Sequence, residues 1–214
     1  MAITLYYGSG SPYAWRVQLA LEHKGLPYEL KVLSFSAGDM RKPEFLALNP
    51  RHRVPVIVDG EFVLYESNAI VEYLEEAYPG RGTPLFPGDA RTRALVRRLI
   101  LEVDNYYDKA ADKLLDQVFW TKPEDRDPVK IDEGKQALIE EHAMFTRAMR
   151  GDFLAGPLSA ADFAFYPLIA FLKRAEIKLP DLGADAMLTP ELAAWKSRVE
   201  ALPYFPTTIP PHWR

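Results

Sequence analysis

The pattern of strand and helix signals changes once along the chain, at Pro79–Gly88, and that change limits what the chain can fold into. This stretch holds three prolines and three glycines, the composition of a linker. Before it, short β-branched and aromatic runs alternate with helical periodicity. After it, only helical periodicity remains. Such a pattern predicts an α/β domain over residues 1–78, a linker over 79–88 and an all-helical domain over 89–214.

In the first part, Ile3–Tyr7 and Tyr28–Leu33 read as strands flanking a helix that opens at Pro12 and stops at Gly25. Pro43–Leu48 reads as a short helix closed by Asn49-Pro50. Pro55–Val58 and Phe62–Tyr65 flank Asp59-Gly60, a strong hairpin signal, and Ser67–Tyr78 is helical. A helix-crossed first pair favours parallel strands and a hairpin must be antiparallel, so the sheet is mixed. In the second part, helices are expected from Asp89 to about Val118, from Asp127-Pro128 to Met149, from Ser159 to about Glu176 and from Thr189-Pro190 to Leu202. The proline-rich tail Pro203–Arg214 is expected to wrap the surface.

Composition excludes several functions. The formal net charge is −4, which argues against nucleic acid as the main partner. Arg91, Arg93, Arg97 and Arg98 are a local exception and read as a solvated or subunit-facing helix surface. There is no cysteine, so any thiol chemistry needs a thiol brought by a ligand. The four histidines show no metal-ligand spacing, and no metal is expected. No apolar run is long enough to span a membrane, and the start of the chain lacks a basic-then-apolar leader. A cytoplasmic location is the expectation.

Ser11 stands before Pro12 at a helix start and reads first as an N-cap. The same geometry can hold a thiolate, because a helix N-terminus offers unpaired N–H groups and a positive dipole end. Tyr6, Tyr7 and Ser9 are rival donors, and Tyr7 shares the strand phase of Ile3 and Leu5 whereas Tyr6 faces the other way. Val54-Pro55 sits directly before a strand, where a cis bond would expose the Val54 backbone to an extended peptide. Glu66-Ser67 opens the third helix; a serine hydroxyl at a helix N-terminus suits a carboxylate, and the glutamate suits an amino group. Arg41, His52 and Arg53 lie in the facing loops and could meet a second carboxylate. Ser159-x-x-Asp162 reads as a capping box, a structural role.

Taken together, Ser11-Pro12-Tyr13-Ala14-Trp15-Arg16-Val17, Pro43–Pro50, Arg53-Val54-Pro55-Val56, Glu66-Ser67-Asn68-Ala69-Ile70 and Ser159–Asp162 resemble the cytosolic glutathione transferase superfamily over nearly the whole chain. The resemblance implies a thioredoxin-like N-terminal domain, an all-α C-terminal domain and a homodimer, with glutathione as co-substrate, a small electrophile as second substrate and a role in detoxification. It implies a cis bond before Pro55, pairing of Val54 with the glutathione backbone, and Glu66 and Ser67 at the γ-glutamyl end. Arg53 and, more weakly, Arg41 would meet the glycine end. The family's serine-type members place the catalytic serine five residues before the arginine that Arg16 resembles, which is Ser11, with Tyr7 and Ser9 as rivals. The look is that of zeta, theta and phi groups, although the Ser-Ser-Cys run of the zeta isomerases is replaced here by Ser11-Pro12-Tyr13. The electrophile pocket is expected among Asp104, Tyr107, Ala111 and Trp213. The alternatives are a glutathione-dependent isomerase of the maleylacetoacetate type and a non-catalytic binding protein on the same fold.

Overall fold

The computed structural model describes residues 2–213. It divides into two compact units. One comprises the chain up to Pro87 together with the stretch from Leu202 onward, and the other is Gly88–Ala201.

The first unit follows the order β1 (Ile3–Gly8), α1 (Pro12–His23), β2 (Tyr28–Leu33), α2 (Pro43–Leu46), β3 (Val56–Asp59), β4 (Phe62–Tyr65) and α3 (Ser67–Ala77). The sheet order is β2-β1-β3-β4, with β1 parallel to β2 and the other pairs antiparallel. This is the expected mixed sheet of a thioredoxin-like domain. Ile3, Leu5 and Tyr7 alternate into the core, as a period of two demands. Tyr6 turns to the other face and meets the Phe45 ring at 6.0 Å. A part-buried ion pair, Lys24 Nζ to Glu75 Oε2 at 2.8 Å, ties the C-terminal end of α1 to α3. Glu75 also accepts the Leu85 and Phe86 amides, which anchors the segment after α3.

The tail departs from the expectation of a surface wrap attached to the helical part. Its short helix α9 (Phe205–Thr208) buries Phe205 and Thr208 within the first unit. Trp15 is the reason: its buried indole Nε1 donates to Thr208 Oγ1 at 2.9 Å, and its ring packs on Phe205. A buried indole N–H needs an acceptor, and the tail supplies one.

The second unit is helical, with α4 (Ala90–Glu102), α5 (Asp108–Leu115), α6 (Pro128–Ala148), α7 (Ala160–Ala175) and α8 (Pro190–Glu200). Asp89 caps α4 by accepting the Thr92 amide at 2.9 Å, and Asp127 caps α6 in the same way from Val129. The long helix begun at Asp89 contains wide turns of π geometry at Val103–Tyr107 and Asp116–Trp120. The core is aromatic: Tyr107, Phe145, Phe165 and Trp195 form a chain of rings with centroids 4.2 to 6.0 Å apart.

Asp162 organises this unit. It is fully buried and accepts from the Leu154 amide at 2.9 Å, the Ser159 amide at 2.9 Å, the Ser159 hydroxyl at 3.1 Å and the Trp195 indole at 2.8 Å. The capping box is present, and it also fixes α8 through Trp195. Truncating the carboxylate leaves four buried donors without an acceptor. Asp162→Ala should therefore cost about 3 kcal/mol or more of stability, read as a lowered urea midpoint; an unchanged midpoint would contradict this role.

Candidate functional site

Strand register brings the singled-out residues of the first unit to one end of the sheet. Tyr6 pairs with Val56, and Val56 pairs with Tyr65. Beyond that row β1 runs on into Gly8–Ser11, β3 is preceded by Val54-Pro55, and β4 is followed by Glu66-Ser67. The loop after β1 closes with a bond from the Ser11 amide to the Gly8 carbonyl at 2.9 Å. Gly8 leaves room for two neighbours: a Cβ there would lie 2.5 Å from the Phe35 ring and 2.9 Å from Val54 Cγ2. The Val54-Pro55 bond is cis.

Ser11 caps α1, its Oγ accepting the Ala14 amide at 3.3 Å. Pro12 follows at the first helical position, and the first turn carries no acidic residue. The positive end of the helix therefore has no internal carboxylate to satisfy it. Because Oγ accepts from inside the helix, the Ser11 hydroxyl is left to donate outward, and its side chain is partly exposed.

Ser67 is the first residue of α3, with Glu66 at the cap position. It is 7% exposed, and its Oγ accepts from Arg16 Nη1 at 3.2 Å. The same nitrogen donates to Asn68 Oδ1. Arg16 is itself 2% exposed, with its guanidinium 5.2 Å from the Tyr13 ring centroid. One buried cation thus ties the second turn of α1 to the first turn of α3, and it leaves Ser67 as a donor. Glu66, just before α3, has φ 72° and ψ 109°, a left-handed conformation unusual for a side chain of this size. Backbone strain of this kind concentrates at ligand-binding positions.

The rival thiol donors are placed differently. Tyr7 is fully buried, and burial pushes its pKa up to about 12, against a smaller pull from the Gly10 backbone. Ser9 Oγ lies 2.6 Å from His212 Nδ1 in the tail. Arg41 and Arg53 are both exposed, in the loops before the cis bond. Asn49 shapes the second of these loops. Its side chain is buried, donates to the Arg53 carbonyl at 2.8 Å and accepts the Arg51 amide at 3.0 Å.

Of the expected pocket residues, Asp104, Tyr107 and Ala111 belong to the helical unit and Trp213 to the other. Tyr107 and Ala111 are 0% and 1% exposed. The Tyr107 hydroxyl is 3.1 Å from His142 Nε2, and His142 Nδ1 is 2.9 Å from the Met187 carbonyl. A carbonyl only accepts, so Nδ1 carries the proton and Nε2 accepts from Tyr107. Burial holds this histidine's pKa below its usual value. The Tyr107 side chain is thus spent on packing and on His142. Among the described residues, no cluster of His, Asp or Glu is placed to hold a metal ion, and no helix is long and apolar enough to cross a membrane.

Sequence reasoning missed three contributors. Arg16 appeared only as a motif letter, Asn49 only as a helix stop, and His212 not at all. For Arg16 a signal existed: it is a lone cation among the apolar positions of α1, and a charge kept there must have partners.

Comparison with known proteins bears on this end of the sheet directly. A family model described as the N-terminal domain of glutathione S-transferase matches residues 10–77. Glutathione S-transferase A of the plaice Pleuronectes platessa is 31% identical, over 99% of this chain and 92% of that protein. A crystal structure of a glutathione S-transferase from the Antarctic clam Laternula elliptica superposes with a TM-score of 0.85 at 32% identity, covering 100% of this chain and 94% of that one. Poplar glutathione transferase F1, at 21% identity and a TM-score of 0.84 over 98% of this chain and 97% of that one, shares the fold.

Replacing Arg16 tests the link between the two helix starts. Arg16→Met keeps most of the volume and removes the donors. The loss leaves Ser67 Oγ and Asn68 Oδ1 without their donor, which costs about 1–3 kcal/mol of stability. The thermal midpoint should fall while the protein stays folded at 25 °C, and affinity for glutathione in calorimetric titration should fall about tenfold or more, as loss of a charged hydrogen bond implies. Equal affinity in the variant would remove Arg16 from the account.

Proposed function

This chain belongs to the glutathione S-transferase superfamily, and from that premise we propose that Ser11 holds the sulfur of bound glutathione as a thiolate, which attacks a small hydrophobic electrophile. The observation that carries the reading is the state of two serines. Ser11 and Ser67 each have Oγ occupied as an acceptor by a donor from within the protein. Each hydroxyl proton is left for an anion, and each sits at the start of a helix whose first turn lacks a carboxylate.

The binding step follows from the arrangement. Glutathione lies extended, its backbone pairing with Val54. Its γ-glutamyl carboxylate meets the Ser67 hydroxyl and the α3 start, and its amino group meets Glu66. Arg53 or Arg41 meets the glycine carboxylate. The sulfur then falls at Ser11.

The chemical step needs the thiolate, because the neutral thiol is a poor nucleophile. A hydrogen bond from Ser11 and the positive end of α1 favour the charged sulfur, which lowers the thiol pKa toward neutrality. The thiol proton passes to solvent. The sulfur lone pair forms the carbon–sulfur bond, and the electrophile's leaving group departs with its bonding electrons or, in an addition, the acceptor carbon pair is later protonated. Fixed positioning of the two reactants lowers the barrier further. Tyr7 suits the donor role less well: a hydroxyl held to a pKa of about 12 and buried away from the loop surface is a weaker donor to sulfur.

Ser11→Ala should raise the pKa of bound glutathione by about one unit and lower kcat/KM by on the order of 10², with binding of glutathione retained. Ultraviolet titration of the thiolate and turnover of an activated aryl halide check both effects. An unaltered thiol titration would move the role to another donor, and no heat of binding at millimolar glutathione would defeat the reading as a whole.

We also propose a homodimer. Leu101 on α4, Tyr106 in the first wide turn and Met144 on α6 are each more than half exposed, which favours a covered helical face. Light scattering should give about twice the 24.3 kDa of one chain; the mass of a single chain would exclude it.

A further inference from the structure

The C-terminal tail reaches the loop that carries Ser11. His212 Nδ1 lies 2.6 Å from Ser9 Oγ, and Trp213 Nε1 donates to His212 Nε2 at 2.8 Å. The Trp213 ring also stands edge-on to Trp15, with centroids 5.4 Å apart. Gly10 makes room for this approach. A Cβ on Gly10 would lie 3.0 Å from His212 Cε1, 3.2 Å from Nε2 and 3.4 Å from Trp213 Nε1, and its φ of +85° favours glycine independently.

Hydrogen-bond chemistry fixes the direction of this chain. An indole N–H can only donate, so His212 Nε2 must offer a lone pair. The proton of the neutral imidazole is then on Nδ1, and Nδ1–H donates to Ser9 Oγ. Ser9 accepts from His212 and is left to donate its own proton. This is the condition that the Ala14 amide imposes on Ser11 and that Arg16 imposes on Ser67.

We infer that His212 is a positioning residue for the thiol site: through Nδ1 it holds Ser9 as a donor, so that the sulfur at Ser11 receives a second hydrogen bond from Ser9. The inference rests on the glutathione reading above. It assigns the tail a part in the chemistry as well as in the core, and it gives Ser9 a share in thiolate stabilisation beside Ser11.

The test uses the 214-residue chain and its Ser9→Ala, His212→Ala, His212→Asn, His212→Gln and Ser9→Ala/His212→Ala variants. His212 is exposed, so these variants fold. Asparagine places a donor where Nδ1 stands; glutamine reaches the Nε2 position instead. Calorimetry measures glutathione affinity at acid pH, where the thiol is protonated. Ultraviolet titration measures the bound thiol's pKa, and steady-state kinetics separates kcat from KM. Affinity at acid pH should not change. Ser9→Ala and His212→Ala should raise the thiol pKa equally and lower kcat about fivefold, the worth of one hydrogen bond. The double variant should be no worse than either single one. His212→Asn should restore the wild-type titration and His212→Gln should not. A wild-type titration in His212→Ala, additive losses in the double variant, or rescue by glutamine in place of asparagine overturns the inference and leaves the glutathione reading standing. Absence of glutathione binding by the wild type overturns both.

Discussion

The sheet-bearing unit depends on one buried cation. Arg16, on the first turns of α1, reaches across to Ser67 and Asn68 at the start of α3. Taking a guanidinium out of water is costly unless its donors are met. Here Nη1 is met by Ser67 and Asn68 at the start of another helix, so the two N-termini are held as a pair. Two positive helix ends side by side repel each other weakly and attract an anion strongly. A ligand with a carboxylate at one end and an ionisable thiol in the middle matches that pair, and glutathione has both.

The same hydrogen-bond logic recurs at each serine of the site. A hydroxyl can accept and donate at once. Where the protein supplies the donor, the hydroxyl's own proton is left to donate elsewhere, and in the proposed function that partner is glutathione. The Ala14 amide does this for Ser11, Arg16 for Ser67 and, in the inference above, His212 for Ser9. The selection is electrostatic: donors of this kind stabilise an anion more than they stabilise a neutral thiol. The helical unit uses the opposite arrangement for a structural end. Asp162 is an anion built into the core, and four donors converge on it.

Much of this was legible in the sequence, for a local reason. Strand alternation at Ile3–Tyr7, the caps at Asp89 and Asp127 and the Ser159–Asp162 box depend on neighbours a few residues away, so their signals lie in short windows. The ends of the helices fell within two or three residues of expectation for the same reason. The fate of the tail was not legible. Thr208 meets Trp15 across 193 residues and His212 meets Ser9 across 203, and no short pattern encodes such pairs. The wide turns at Val103–Tyr107 and Asp116–Trp120 were also invisible, because one extra residue in a turn shifts the helical phase without breaking it. At the site, the cap at Ser11 could be read, but the cap position of α3 falls to Glu66 and Ser67 is the first helical residue; the direction in which each hydroxyl donates needed the partner atom.

The most direct measurement is a crystal structure of the glutathione complex. The account predicts the γ-glutamyl carboxylate within hydrogen-bonding distance of Ser67 Oγ, the cysteinyl backbone paired with Val54, and the sulfur in contact with Ser11 Oγ. Glutathione bound with its carboxylate away from the start of α3, or with its sulfur out of reach of both Ser11 and Ser9, would contradict it.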